Sequence, residues 1–293
     1  MTSRIVITGA GGQVGSFLAA EATRQGRDVL ALTSSQWDIT DPDTADRIVE
    51  NDDVVVNCAA YTNVDGAETN QATAHAVNVT GPQYIARACA RVGAAMIHLS
   101  TDYVFSGDFG GSAPRPYEPD DETGPLSVYG HTKLAGELAV RAALPHATVV
   151  RTAWVYTGGT GKDFVAAMRR LAAGDAIVEV VDDQTGSPTY VPDLCAALLE
   201  IADGRAHAPV LHAANEGAVT RYKLARAVFE ELGTDPDRVR PVSSDHVPRP
   251  ARRPPYSALS NRLSVQAGLS PLRGWRDALA AALSARPLPS IRD

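Results

Sequence analysis

Short apolar runs alternate with amphipathic stretches along most of the chain. The apolar runs begin near residues 5, 28, 54, 95 and 147, and most are followed by a stretch with the periodicity of a helix. Apolar runs of this length, bounded by glycine and polar residues, are typical of strands that are buried on both faces. The pattern therefore predicts an α/β fold, a Rossmann-type doubly wound parallel sheet, with a smaller C-terminal α/β substrate lobe.

The same pattern gives approximate bounds for each element. Strands are predicted over residues 4–8, 28–33, 54–60, 95–101, 147–156, 177–181 and 210–214, and helices over 16–24, 72–92, 164–173, 190–202, 220–232 and 272–283. Asn78 lies inside one helix, either as a structural polar residue, which we favour, or as a contact to the sheet. Residues 105–125 are rich in Gly, Pro, Asp and Glu and form a loop long enough to suggest a functional lid.

Composition excludes several classes of partner. The chain has 293 residues, of which 44% are apolar, a formal charge of −7 and a pI near 5.5. This balance argues against a nucleic-acid or membrane partner. The three cysteines show no metal-type spacing, and no apolar run reaches membrane-spanning length. We expect a cytoplasmic protein with reduced cysteines and no metal ligands.

A glycine-rich turn follows the first strand directly. Gly9, Gly12 and Gly15 separate the apolar run 5–7 from the helical stretch 16–24. Glycines at this place permit a tight turn and close approach of the backbone to a pyrophosphate, which the N-terminus of the next helix also attracts. The arrangement predicts a dinucleotide site.

The end of the second strand bears on which nicotinamide cofactor is bound. Thr33, Ser34 and Ser35 stand where an acidic residue would bind a free ribose 2′-hydroxyl. Small hydroxyl side chains leave room for a 2′-phosphate, which favours NADPH, with NADH as the alternative. Asp38 has two interpretations of equal weight, a contact to the adenine amine or a cap for a helix over residues 42–50.

The candidate catalytic pair is Tyr129 and Lys133. On a helix, residues four apart share a face, so an ammonium can approach a phenol. A neighbouring positive charge lowers the pKa of tyrosine from its usual value of about 10 and makes it a better proton donor at neutral pH. Thr101 falls at the carboxyl end of a predicted strand, where a hydrogen-bond donor to a substrate oxygen would be needed.

Six arginines lie among prolines between residues 238 and 262. Arginine offers a planar pair of donors that suits a diphosphate. Each of these arginines alone fits a solvated surface segment as well, but we expect Arg252 or Arg262 to contact a nucleotide phosphate.

Three motifs together resemble the dTDP-4-dehydrorhamnose reductases, which are extended short-chain dehydrogenase/reductases. They are Ser-Thr-Asp-Tyr-Val-Phe from residue 100, the stretch 122–137 that contains Tyr-Gly-His-Thr-Lys, and Arg-Thr-Ala-Trp-Val-Tyr from residue 151. The resemblance covers nearly the whole chain. It implies reduction of the 4-keto group of dTDP-4-dehydro-L-rhamnose to dTDP-L-rhamnose by hydride from NADPH or NADH.

The resemblance also implies a role for individual residues. Tyr129 is the implied proton donor, and Lys133 binds the nicotinamide ribose and lowers the pKa of the tyrosine. Thr101, Asp102 and Trp154 are the implied substrate contacts. The implied cofactor contacts are Gly12, Gln13 and Val14 at the pyrophosphate, Asp38 and Ile39 at the adenosine, and Ala60, Tyr61 and Thr62 along the cofactor.

The resemblance leaves the assembly and the exact activity open. Family members with a metal at their dimer interface carry an acid at the position of Phe17, so Mg²⁺ is uncertain and the chain is a monomer or a homodimer. Residues 1–155, joined by roughly 190–216, are expected to form the NAD(P)-binding domain, and residues 156–189 and 217–293 the substrate lobe. The alternatives are another nucleotide-sugar 4-ketoreductase or epimerase, and a non-catalytic NADP-binding regulatory subunit.

Overall fold

A computed structural model describes residues 3–159 and 161–285. Twelve strands lie in these ranges: β1 (Ile5–Thr8), β2 (Val29–Leu32), β3 (Val54–Asn57), β4 (Ala95–Thr101), β5 (Thr148–Thr152), β6 (Val155–Tyr156), β7 (Val178–Val181), β8 (Thr185–Gly186), β9 (Thr189–Tyr190), β10 (Val210–His212), β11 (Val219–Thr220) and β12 (Val239–Val242). Six of them form one sheet in the order β10-β5-β4-β3-β1-β2, and every neighbouring pair is parallel. The predicted doubly wound parallel sheet is confirmed.

Eleven α-helices lie in the same described ranges: α1 (Gln13–Arg24), α2 (Thr44–Ile48), α3 (Val64–Ala67), α4 (Gln71–His75), α5 (Gly81–Val92), α6 (Val128–Ala143), α7 (Phe164–Ala172), α8 (Val191–Ala202), α9 (Arg221–Glu231), α10 (Arg262–Gln266) and α11 (Trp275–Ser284). A π-helix covers Ala76–Thr80, and 3-10 turns cover Asp102–Val104, Pro236–Arg238 and Ser244–His246. No helix in residues 3–159 and 161–285 has the length and apolar character needed to cross a bilayer.

Helices cover the six-stranded sheet on both faces because its strands are apolar on both sides. In β1, Ile5 and Ile7 pack with residues of α1 and α8, whereas Val6 between them packs with residues of α5 and α6. Successive side chains of a strand point to opposite faces, so one apolar run serves both layers. The carboxyl ends of the strands therefore remain at an edge where loops gather.

A separate apolar cluster lies beyond this sheet. It is formed by α7, α9, α11 and the parallel pair β7 and β12. The Arg and Pro-rich segment contains β12, a strand that the sequence pattern did not predict. The division into the two proposed domains stays a prediction.

Two predicted elements are interrupted. The expected strand over 147–156 ends at Thr152, because Trp154 has a left-handed backbone with φ of 45°, and the chain resumes as the short strand β6. The expected helix over 72–92 contains the π-helix Ala76–Thr80, which surrounds Asn78. π-Helical turns often lie at functional sites.

Candidate functional site

Buried polar side chains join the carboxyl ends of β1 and β3 to the middle of the neighbouring strand β4. Thr8 donates to Asn57 Oδ1 at 2.6 Å, and the Asn57 amide lies 3.0 Å from His98 Nδ1. All three residues are fully buried. These bonds fix the edge of β1, β3 and β4 against which a ligand would lie.

The glycine loop fits a pyrophosphate. Gly9 has φ of +65°, and a Cβ there would lie 2.7 Å from the backbone nitrogen of Ala59, so the loop passes directly over the next strand end. Gly12 precedes α1, and no side chain caps this helix. Since uncapped amides at a helix N-terminus attract anions, the loop and α1 suit a dinucleotide phosphate. A Cβ on Gly15 would lie 2.4 Å from the Gly9 carbonyl oxygen, which explains the third glycine.

The Gln13 side chain points across the cleft. Its amide donates to Asp163 Oδ2 at 3.0 Å, and Asp163 also caps α7 by accepting from the Ala166 amide. The predicted pyrophosphate contact of Gln13 and Val14 would therefore be made by their backbone. No residue spacing identifies this contact, because it joins positions 150 residues apart.

The predicted adenosine contacts lie after β2. Ile39 is buried and packs against α5, and Asp38 is exposed and accepts from the amide and hydroxyl of Thr40 at 2.9 and 2.7 Å. The alternative that Asp38 caps the next helix is wrong, because α2 begins only at Thr44, after Asp43. The adenine contact stays a prediction.

Asn78 holds the segment that follows β3. Its side chain accepts from the Tyr61 amide at 2.8 Å and donates to the Tyr61 carbonyl oxygen, and it also donates to Thr132 at 3.0 Å. Ala60, Tyr61 and Thr62, the predicted contacts along the cofactor, are thus tied to helix α6. The preferred structural role of Asn78 agrees with these bonds.

Helix α6 places Tyr129 and Lys133 at this edge. Ser127 caps the helix by accepting from the Gly130 amide. A Cβ on Gly130 would lie 2.3 Å from the Tyr103 carbonyl oxygen, and one on Gly136 would lie 2.1 Å from that of Asn78. These two glycines let α6 press against the loops after β4 and β3, which brings Tyr129 and Lys133 to the strand ends.

The pKa values of the pair differ from expectation. Burial raises the pKa of Tyr129 although the neighbouring Thr101 hydroxyl lowers it, and Asp102 and Tyr103 raise it further. Lys133 is not among the groups that shift the pKa of this phenol, so the predicted lowering by its charge is not found. Lys133 is 3% exposed and donates to the Leu99 carbonyl oxygen at 2.6 Å, and its burial lowers its own pKa to about 8.

Thr101 ends β4 as predicted, and Asp102 follows it. Thr101 donates to Asp102 Oδ1 at 3.0 Å, and Ser257 donates to Asp102 Oδ2 at 2.5 Å. Asp102 is 2% exposed. Both carboxylate oxygens therefore bind groups of the protein, and no pattern in the sequence points to Ser257.

A buried ion pair lies one helical turn beyond Lys133. Arg151 binds both carboxylate oxygens of Glu137, at 3.0 and 2.8 Å, and Ser100 donates to the same carboxylate at 2.5 Å. The two charged side chains are 5% and 3% exposed. Because Ser100 lies between Leu99 and Thr101, this pair fixes the strand that carries the partners of Lys133 and Tyr129.

Trp154, Arg221 and Arg253 form a second group of side chains near the Tyr129 helix. The Arg221 guanidinium lies 3.5 Å from the ring centroid of Trp154, and a Cβ on Gly186 would meet the same indole at 2.4 Å. Burial and the charge of Asp102 raise the pKa of the Tyr103 phenol, against the nearby positive charges of Arg221 and Arg253. Arg253 also binds Asp65 at 2.7 and 2.9 Å. Sequence reasoning missed Arg221 and Arg253.

The two arginines that were predicted to contact phosphate, Arg252 and Arg262, are both exposed, in contrast to Arg221 and Arg253. Arg252 is exposed, and Arg262 pairs with Glu118 at 2.9 Å with 61% of its side chain exposed. The proposed lid, residues 105–125, is held in place next to Glu118, because Tyr117 stacks on Phe105 with ring centroids 4.0 Å apart. In the described part of the chain, no three or more His, Cys, Asp or Glu side chains form a group that could hold a metal ion.

Known proteins are similar to this chain over nearly its whole length. A dTDP-4-dehydrorhamnose reductase of Mycobacterium tuberculosis strain H37Rv is 69% identical over 100% of this chain and 99% of the relative. A probable dTDP-4,6-dihydroxy-2-methyloxan-3-one 4-ketoreductase of Streptomyces antibioticus is 44% identical over 94% and 93%. A crystal structure of dTDP-4-dehydrorhamnose reductase from Bacillus anthracis in complex with NADP has a TM-score of 0.89 at 33% identity, over 95% of this chain and 98% of that one.

The family model described as the RmlD substrate binding domain matches residues 3–286. This match and the identities above extend across the Rossmann sheet, the Tyr129 helix and the group of Trp154, Arg221 and Arg253. The chain therefore belongs to the RmlD family.

Proposed function

We propose that this chain reduces the 4-keto group of dTDP-4-dehydro-L-rhamnose to the hydroxyl of dTDP-L-rhamnose. The observation that carries the proposal is helix α6, which places Tyr129 against Tyr103 next to the end of β4 and Lys133 against the Leu99 carbonyl oxygen of the same strand. The Mycobacterium tuberculosis relative, which is 69% identical, is a dTDP-4-dehydrorhamnose reductase. NADPH supplies the hydride, with NADH as the alternative.

Tyr129 gives its proton to the oxygen of the reduced carbonyl. Burial keeps this phenol protonated at neutral pH, so it is a donor and not a base in the reduction direction. Lys133 holds the ribose side of the cofactor. Its ammonium is positioned by the Leu99 carbonyl oxygen.

Arg221 and Arg253 bind the diphosphate of the nucleotide sugar. Arg221 is covered by Trp154 and Phe164, with its guanidinium 3.5 and 5.0 Å from their ring centroids, and no carboxylate pairs with it among the described ion pairs. A half-buried guanidinium with stacked faces keeps its edge free for an anion. The sugar then lies between Trp154 and Tyr129.

The test follows NADPH absorbance with the purified protein and freshly generated dTDP-4-dehydro-L-rhamnose. We expect oxidation of NADPH with formation of dTDP-L-rhamnose. Formation of a different C4 epimer, or activity only with another dTDP-4-keto sugar, would favour the alternative that the Streptomyces antibioticus relative supports. Cofactor binding without turnover of any such sugar would assign the chain as a regulatory subunit.

A further inference from the structure

Asp65 joins two parts of the cleft that are far apart in the sequence. Its carboxylate accepts from Arg253 Nη1 at 2.7 Å, from Arg253 Nη2 at 2.9 Å and from the Ala251 amide at 3.2 Å. The side chains of Asp65 and Arg253 are 26% and 18% exposed. Arg249 lies 3.7 Å from the same carboxylate but is largely exposed, so it adds little. The bidentate pair therefore fastens residues 251–253 to helix α3.

Helix α3, which carries Asp65, is itself held at both ends. Asn63 caps its start by accepting from the Gly66 amide at 2.9 Å. Glu68 follows its last residue and accepts from the Val128 amide at 2.9 Å, where α6 begins. The Asp65 carboxylate therefore has a fixed place relative to the helix that carries the catalytic pair.

The bonds of Arg253 leave one edge of its guanidinium for a ligand. A guanidinium has one N–H donor on Nε and two each on Nη1 and Nη2. Nη1 donates to Asp65 and to the Ala251 carbonyl oxygen at 2.8 Å, and Nη2 donates to Asp65. The Nε–H and the second Nη2–H remain, and they lie side by side on one edge. Two parallel donors of this kind suit two oxygens of a phosphate.

The two arginines proposed for the diphosphate are held in different ways. Arg221 is held through the faces of its guanidinium by Trp154 and Phe164. Arg253 is held through its end by Asp65. Hydrogen bonds from Arg253 lower the pKa of Asp65 from its usual value, so the carboxylate is ionised at neutral pH. A guanidinium that is already fixed loses less side-chain freedom when a ligand binds.

We propose that Asp65 is the positioning residue for Arg253, and that it turns the free edge of this guanidinium, Nε and Nη2, towards the diphosphate of the nucleotide sugar. The inference rests on the proposed contact between Arg253 and the diphosphate. Because Glu68 bonds α3 to the start of α6, one short helix sets both the diphosphate site and the position of the helix that carries Tyr129.

The direction of the effect separates positioning from charge. A carboxylate close to the site repels a bound diphosphate, so by charge alone Asp65→Asn would tighten the binding of dTDP. Positioning predicts the reverse. An amide holds the guanidinium with one oxygen and no charge, so Arg253 must be ordered when the ligand binds. We expect the Kd of dTDP to rise about three- to tenfold.

Calorimetric titration of the NADPH-bound protein with dTDP measures this Kd without turnover. The Kd of NADPH, which has a diphosphate of its own, should be unchanged in Asp65→Asn and shows that the variant is folded. In steady-state reduction, the KM for the nucleotide sugar should rise by the same factor as the Kd of dTDP, with kcat nearly unchanged.

A double-mutant cycle tests whether Asp65 acts through Arg253. Asp65→Asn should weaken dTDP binding in the parent protein but cause no further loss, within about twofold, in the Arg253→Met variant. An equal loss in both backgrounds, or tighter binding of dTDP by Asp65→Asn alone, would overturn the proposal.

Asp65→Glu decides the question if Asp65→Asn does not bind NADPH. Glutamate keeps the charge but is longer by one methylene, so it displaces the guanidinium. The Kd of dTDP should then rise at least about threefold, whereas an unchanged Kd would mean that the place of the carboxylate does not matter and would refute the positioning role.

Asp203→Asn is the matched control. Asp203 forms a comparable bidentate pair with Arg27, at 2.5 and 3.0 Å, and the two side chains are 30% and 22% exposed. Arg27 precedes β2, so this pair lies at the opposite end of the sheet from the site. The control should leave the Kd values of dTDP and NADPH unchanged, and a loss of dTDP binding equal to that of Asp65→Asn would count against a specific role of Asp65.

A failure of the proposed function gives a different result. A protein that binds dTDP with this pattern of variants but reduces no dTDP-4-keto sugar would contradict the reductase activity and leave the role of Asp65 intact. An Arg253→Met variant that binds dTDP as tightly as the parent would remove Arg253 from the diphosphate site, and the role of Asp65 with it.

Discussion

Lys133 is held as a buried cation at a cost to stability, and Lys133→Met tests this directly. Burial lowers the pKa of Lys133 from 10.5 to about 8 although Glu137 raises it. A difference of about 2.5 pH units corresponds to roughly 3 kcal/mol between the charged and neutral forms. Removing the charge should therefore recover on the order of 3 kcal/mol at neutral pH while abolishing the catalytic contribution of the ammonium.

The sign of the pH dependence follows from the two pKa values. Between pH 8 and 10.5 the unfolded lysine binds more protons than the folded one, so the parent protein gains stability as pH rises through this window. The Met variant lacks this gain. Its advantage over the parent should accordingly be largest below pH 8 and shrink by roughly 3 kcal/mol towards pH 10.5.

Urea unfolding at pH 7 and pH 10 measures both quantities. The absolute difference also contains the bond to the Leu99 carbonyl oxygen that methionine cannot make, worth about 1 kcal/mol, but the change with pH does not. Lys223→Met is the control, because Lys223 is exposed on α9 and its replacement should change stability by less than about 0.5 kcal/mol at either pH. A stability difference for Lys133→Met that is the same at both pH values would refute the reasoning.

Three other variants test the walls of the site. Glu137→Gln leaves Arg151 buried without its charge partner and should lower the free energy of unfolding by about 3–5 kcal/mol in urea, whereas Glu230→Gln at an exposed pair should cost less than about 1 kcal/mol. Gly136→Ala drives a Cβ into a backbone carbonyl and should cost at least about 1–3 kcal/mol, which thermal unfolding would report. Arg253→Met should raise KM for the nucleotide sugar about 10- to 100-fold with kcat nearly unchanged, and an unchanged KM would remove this arginine from the diphosphate site.

The strands of the central sheet can be predicted from the sequence because each one depends on residues that are close together in the chain. Apolar runs and glycine spacing fixed β1, the glycine loop and β4, and the predicted bounds of β4 agree with the structure residue for residue. The ends of other elements depend on single side chains in tertiary contact. Trp154 ends a predicted strand early because Arg221 and Gly186 hold its ring, and no periodicity in residues 147–156 shows this.

Some residues of the candidate site could be predicted from local sequence features, and others could not. Tyr129, Lys133 and Thr101 could be named because motif spacing and strand ends identify them. Arg253 and Ser257 could not, because each is defined by a partner far away in sequence, Asp65 and Asp102 respectively. The raised pKa of Tyr129 could not be predicted from the sequence either, because it results from burial, and the sequence does not show how deeply this side chain is buried.

The most direct test of the role of Tyr129 is the single-turnover rate of Tyr129→Phe with dTDP-4-dehydro-L-rhamnose and bound NADPH. The phenol lies beside Thr101, and its replacement leaves the ring contact with Tyr103 possible, so NADPH should bind nearly as in the parent protein. We expect the rate to fall by a factor on the order of 10² to 10⁴. A rate within a fewfold of the parent at equal cofactor occupancy would contradict the assignment of this phenol as the proton donor.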